Sequence, residues 1–237
     1  MTIVGVLIGL FAPQRLMPTM LSVEGHRAVL TVIVFTVLAA PVAAFVYAAG
    51  VYSLLAWRHK GNQDEPPPDG PPIRGNGPMT VIWLVTSSVL CIVLLVWGLT
   101  AYAADTTAHP DTLVVDVTAQ QWLWTFTYPG TGVESRTLEL PVNRPIQFDV
   151  TSLDVTHGFW APALGVQIDA NPDVITTVLA TPNKLGGFVV RCSQLCGLYH
   201  SLMYSPGAVV TTANFSKWLQ SQGATAVQAN RVADPAT

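Results

Sequence analysis

Cys192, Cys196, His200 and Met203 lie within twelve residues, in the run RCSQLCGLYHSLM over 191–203. Two thiols, an imidazole and a thioether form a soft donor set suited to copper, whereas structural zinc sites seldom include methionine. A Cys192–Cys196 disulfide is the simpler use of two exported cysteines, but it leaves the histidine and methionine unexplained. A mononuclear blue-copper site needs one thiolate, two histidines and a weak axial methionine. Two thiols therefore mean either that one is surplus or that the site holds more than one metal. A spacing of four would align Cys192, Cys196 and His200 on a helix. The strand-like GGFVV before them, Gly197 among them and Pro206-Gly207 after them predict instead a loop leaving a strand.

A second imidazole has few sources. His26 and His59 flank one apolar run, His109 follows another, and His157 sits in DVTHGFWAP. A histidine among aromatics also fits a packed core position, but His157 shares a β-rich region with His200. Cys91 lies in an apolar run and reads as a small buried residue.

The elements that must hold these residues are mostly strands. TLVVDVTA, QWLWTFTYP, RTLELP, PIQFDVTS, DVITTVLAT, GFVVRCS and GAVVTTA are short β-branched or aromatic runs separated by turn residues. Seven such runs within about 130 residues predict one antiparallel sandwich or small barrel. ANFSKWLQSQ predicts a short helix with Asn214 as its N-cap, and 225–237 reads as a flexible tail.

Half of the 237 residues are hydrophobic and 11% are charged, which places the chain among membrane proteins. Residues 29–57 and 79–104 contain no charged side chain over 29 and 26 positions. At about 1.5 Å per residue, each exceeds the roughly 30 Å hydrocarbon core. Both are predicted to span a membrane, with Pro41 inside the first and Trp57 and Tyr102 near span ends. The Pro/Gly-rich linker 58–78 carries Arg58, Lys60 and Arg74, and no further Lys or Arg appears until Arg136. The positive-inside rule puts that linker in the cytoplasm and the chain beyond 104 outside, against a weaker bias from Arg15 and Arg27. Residues 1–28 then lie outside, with the apolar MTIVGVLIGL interfacial, packed on a partner or, less simply, a cleaved signal. The exported part divides into a β domain over 105–224 and the tail. It carries six basic side chains against ten carboxylates. That balance argues against nucleic acid and permits steering of a basic soluble partner.

The run Cys192-Ser193-Gln194-Leu195-Cys196-Gly197-Leu198-Tyr199-His200-Ser201-Leu202-Met203 resembles the binuclear copper A motif of cytochrome c oxidase subunit II, of the haem–copper oxidases. DVTHGFWAPALGVQIDANP resembles the segment of the first histidine ligand, QWLWTFTYP the aromatic stretch, and GNGPMTVIWLV the start of the second membrane helix. The resemblance implies a two-helix transmembrane hairpin followed by an all-β cupredoxin-like Greek-key barrel. It implies two copper ions, with Cys192 and Cys196 bridging as thiolates, His157 and His200 capping one copper each, and Met203 and the Gln194 carbonyl as weak axial ligands. Trp122 matches the residue that receives electrons. The implied function is to take electrons from cytochrome c or a similar carrier and relay them to haem in subunit I, where the complex reduces oxygen. The implied setting is the plasma (inner) membrane with its lipids, the copper domain on the outer, periplasmic side. A membrane-tethered copper-delivery protein is the alternative that the donor set alone allows.

The chain departs from the family pattern in places. Gln194 stands where most relatives have a glutamate that helps bind magnesium at the subunit interface, which puts that ion in doubt. Gln167 and Asp173 replace common Lys and Gly. Thr80 stands where a glutamate marks the mouth of a proton-uptake route, so uptake through Asp64, Glu65 or an acid of subunit I is expected instead.

Overall fold

The two uncharged runs fold as continuous helices. In the computed structural model, which describes residues 2–58, 70, 72, 75–107 and 111–233, α1 spans Thr2–Leu16, α2 Val23–Ala56 and α3 Gly77–Asp105. Helices α2 and α3 are both long and apolar enough to cross a membrane, and their apolar windows are wholly unburied. Asn76 starts α3 by accepting a hydrogen bond from the Met79 amide at 3.2 Å, and Thr80 donates to the Asn76 carbonyl at 3.0 Å. His59, Lys60, Asp64, Glu65, Arg74 and His109 lie outside the described residues.

The chain forms two compact units, one of residues up to Leu16 with Thr31–Tyr102, the other of Met17–Leu30 with the chain from Ala103 onward. In the first, the apolar start of the chain is a helix packed on α2. A Cβ added at Gly5 would stand 3.1 Å from the Ala40 Cβ, and one at Gly9 3.0 Å from Thr36 Cγ2. This is small-residue contact of the kind that lets membrane helices approach closely.

The second unit is a cupredoxin-like sandwich of two five-stranded sheets. Its strands are β1 Leu113–Gln120, β2 Leu123–Tyr128, β3 Val133–Ser135, β4 Leu138–Pro141, β5 Ile146–Ser152, β6 His157–Ala161, β7 Val166–Ala170, β8 Thr176–Ala180, β9 Gly186–Cys192 and β10 Tyr204–Val210. One sheet runs β3-β2-β1-β5-β8, the other β4-β10-β9-β6-β7. Alternation places Leu113, Val115, Val117 and Ala119 of β1 inside with Ile146, Phe148 and Val150 of β5 and Trp124, Phe126 and Tyr128 of β2. Tyr128 ties the sheets together, its hydroxyl donating to the Glu139 carbonyl at 2.9 Å and accepting from the Glu139 amide at 3.0 Å. Its burial pushes the phenol above its ordinary pKa.

Several expectations change. β3, β6 and β7 were not among the seven predicted runs, and β1/β5 and β4/β10 pair in parallel. The expected wholly antiparallel sandwich is therefore mixed. The expected helix forms over Thr212–Ser221 as α4, but its N-cap is Thr211, whose side chain accepts from the Asn214 amide. The stretch read as a tail from 225 carries α5, Ala226–Ala233, which buries Ala229 and Ala233 in the core.

The segment before α2 is also part of this unit. Leu21 is 4% exposed and pairs its backbone with the Ala163 carbonyl at 2.7 Å and the Asn183 amide at 2.8 Å. Ser22 Oγ donates to the Leu164 carbonyl at 2.6 Å, and the Glu24 carboxylate accepts from the Thr181 amide at 2.7 Å. Residues 21–24 thus strap onto the loops after β6 and β8.

Candidate metal centre

Three strands of one sheet converge at one end. β6 begins with His157, β9 ends with Cys192, and Phe159 pairs with Cys192 across them. The chain leaves β9 as a loop and makes a 3-10 turn over His200–Leu202 before β10. The Cys192 amide donates to the Met203 carbonyl at 3.1 Å, and Ser193 N to the Gly158 carbonyl at 3.0 Å, so both ends of the loop are fixed. Gly158 lets the loop approach closely: a Cβ there would lie 2.2 Å from Ser193 Oγ and 3.0 Å from the Gln194 backbone nitrogen.

The donors meet. Cys192 Sγ and Cys196 Sγ are 3.7 Å apart as free thiols, well beyond a disulfide bond of about 2.05 Å. His157 Nδ1 stands 3.9 Å from Cys192 Sγ, and His200 Nδ1 stands 3.5 Å from Cys196 Sγ. Met203 Sδ is 3.8 Å from Cys196 Sγ, and the Gln194 carbonyl oxygen 3.1 Å from Cys192 Sγ. The ligand atoms of His157, Cys192 and Cys196 all lie within 4.8 Å of one another. His157, Cys192, Cys196 and Met203 are buried, and His200 is half-buried. All six sequence-predicted ligand positions are brought together, while His26 sits elsewhere, its Nδ1 2.6 Å from the Ser22 carbonyl oxygen.

The donor set fits a soft metal: two thiols sit side by side with one imidazole nitrogen turned toward each. Burial, and then the neighbouring Cys192, push the Cys196 thiol up to about 12, so a metal there must displace its proton.

Asp154 was not anticipated. Its Oδ1 is 2.9 Å from His157 Nε2, and its Oδ2 accepts from the Gln121 amide at 2.7 Å. Desolvation works to raise its pKa, but the bonds from His157 and from the Gln121 and Val155 amides outweigh it and hold the carboxyl at about 2. An ionised Asp154 keeps the imidazole proton on Nε2 and leaves Nδ1 free to face the sulfurs, the usual arrangement of a metal-bound histidine. The signal was its place three residues before His157.

Trp122 is half-buried and lies edge-on against Tyr199 with ring centroids 4.8 Å apart, and among the described residues its buried indole Nε1 has no acceptor. Gln194's side chain is exposed. Asp173 adopts φ 59, a left-handed conformation that favours glycine and that Asp tolerates, which accounts for the glycine common at this position.

Residues 132–211 match the family model for cytochrome C oxidase subunit II, periplasmic domain. Residues 132–211 thus carry the periplasmic domain of the cytochrome c oxidase subunit II family. Among subunit 2 relatives, that of Synechocystis sp. is 28% identical over 216 residues, covering 71% of this chain and 64% of its own. That of Thermostichus vulcanus is 41% identical over 109 residues, covering 46% and 33%. The chain therefore spans less than two thirds of the length of these relatives. The solved periplasmic domain of subunit II of cytochrome oxidase from Bradyrhizobium japonicum is 31% identical, with a TM-score of 0.45, and covers 46% of this chain and 92% of that domain.

Proposed function

We propose that this chain is the electron-accepting subunit of a respiratory haem–copper oxidase. In this reading it takes electrons from a cytochrome c or similar carrier and passes them to haem in subunit I, where oxygen is reduced to water. Oxygen reduction belongs to the complex and not to this chain. The observation that carries the reading is two thiol sulfurs 3.7 Å apart, each with its own imidazole nitrogen within 4 Å.

In this assignment Cys192 and Cys196 would hold the copper pair as thiolates, His157 and His200 would supply the imidazole donors, and Met203 and the Gln194 carbonyl would be the weaker donors. Such a copper pair, when bound, supplies a one-electron acceptor with the electron shared over both metals. The chain's own residues supply the rest. The sandwich fixes the ends of the ligand loop, burial excludes water from the sulfurs, and Asp154 holds the His157 proton away from the metal side. Trp122, packed on the residue before His200, is the group proposed to receive the electron from the carrier. With a neutral Gln194, magnesium at the subunit interface is not part of the proposal.

The two long apolar helices support a membrane setting, with spans over 29–57 and 79–104 and a β domain from 105 on the outer side of the plasma membrane. Arg58 follows α2 on the side read as cytoplasmic, where Lys60 and Arg74 of the linker add to it in sequence, against Arg27 at the other end of the helix. A copper-delivery role is less well supported, because it gives no use to the Trp122–Tyr199 contact.

The test is to purify the chain from its native membrane and follow reduced cytochrome c oxidation. A co-purifying haem subunit and loss of donor oxidation in Cys196→Ser, with the complex still assembled, are expected. Full activity in Cys196→Ser would contradict the proposal.

A further inference from the structure

Gln121, in the turn between β1 and β2, touches both ligand-bearing segments. Its backbone amide donates to Asp154 Oδ2 at 2.7 Å, the same carboxylate that holds His157 Nε2. Its side-chain Nε2 donates to the Cys196 carbonyl at 2.8 Å. The next residue, Trp122, lies edge-on to Tyr199 in the same loop. Gly197 makes this approach possible: at φ +119 it lacks a Cβ that would stand 3.0 Å from Gln121 Nε2 and 3.3 Å from the Trp122 ring.

We propose that Gln121 is a positioning residue that clips the Cys196–His200 loop to the Asp154–His157 pair and holds Trp122 in register with both. The proposal rests on the copper reading above. The physical reason is that residues 194–199 are mostly exposed and lie outside any strand, so few bonds restrain Cys196. The Cys196 carbonyl is held by a donor from the β1–β2 turn, 75 residues away in sequence. Gln121 thereby links the spacing of the two sulfurs to the placement of the tryptophan.

The test uses the full-length chain and two variants. Gln121→Glu keeps the volume but loses the N–H donor, and Gln121→Asn keeps the amide but falls one methylene short. In the metal-free protein, exchange of the His200 amide, bonded to the Gly197 carbonyl at 3.2 Å, is expected to accelerate roughly fivefold in both variants. The amides of β5 should keep their protection. With copper added, the metal count should match the parent chain while the electron paramagnetic resonance spectrum changes. In the assembled complex, kcat for donor oxidation should fall with KM unchanged. Parent-like exchange and spectrum in either folded variant would overturn the proposal, as would an effect confined to KM, which would make Gln121 a docking residue. Exchange raised across the whole sandwich would overturn it too, because that marks a merely structural role. If the parent chain binds no copper pair, the copper reading fails, while the exchange result still decides the clip.

Discussion

Asp154 keeps its charge where desolvation works against it, because His157 and two backbone amides bond to it. Removing that carboxylate frees the imidazole to rotate and to change tautomer. Asp154→Ala is expected to weaken copper binding by about 10–100-fold, measured by competition with a chelator, while circular dichroism stays unchanged. Met203, 1% exposed and 3.8 Å from the Cys196 sulfur, is proposed as a weak donor. Met203→Leu should therefore keep the metal count and shift the reduction potential, read by redox titration. The donors themselves were legible because unusual residue types crowd into one short run. Asp154 and Gln121 were not, since Gln121 meets Cys196 across 75 residues of sequence and neither is a rare residue.

Strand runs with clean alternation, such as those of β1, β2 and β5, were readable from sequence. β6 was not: His157, Gly158 and Trp160 obscure a strand only five residues long, buried on both faces at most positions. The Thr211 cap escaped notice because Asn214, the stronger-looking capping residue, lies three positions further on, where its backbone amide is the group being capped. The strap at 21–24 had no sequence signal, as its bonds are mostly backbone ones. Leu21→Ala is expected to cost the β domain about 2–5 kcal/mol, measured by urea unfolding followed by tryptophan fluorescence. Across the outer face, Asp116 stands opposite Asp149 in the parallel β1/β5 pair, and desolvation followed by that neighbouring charge raises its pKa. The folded state therefore holds the Asp116 proton more tightly than the unfolded chain, and stability falls as pH rises through the raised pKa. Asp116→Asn should stabilise the domain by up to about 1 kcal/mol at pH 7, with the gain vanishing below the unfolded pKa near 3.8.

At the scale of the whole chain, the division of labour follows from composition. Long uncharged stretches have no alternative to a membrane or a large protein surface, and the β-rich remainder buries its alternating apolar face in a sandwich. The hairpin and the sandwich were legible for that reason. The packing of α1 on α2 and the inclusion of residues 17–30 in the β unit were not, because they depend on shape rather than on hydropathy. Every functional statement turns on what the six converging donors hold. The direct measurement is copper content together with the electron paramagnetic resonance spectrum of the purified full-length chain. Two coppers per chain, with hyperfine structure from one unpaired electron shared by both nuclei, is the predicted result. One copper per chain with the spectrum of an isolated type-1 or type-2 ion would contradict the account.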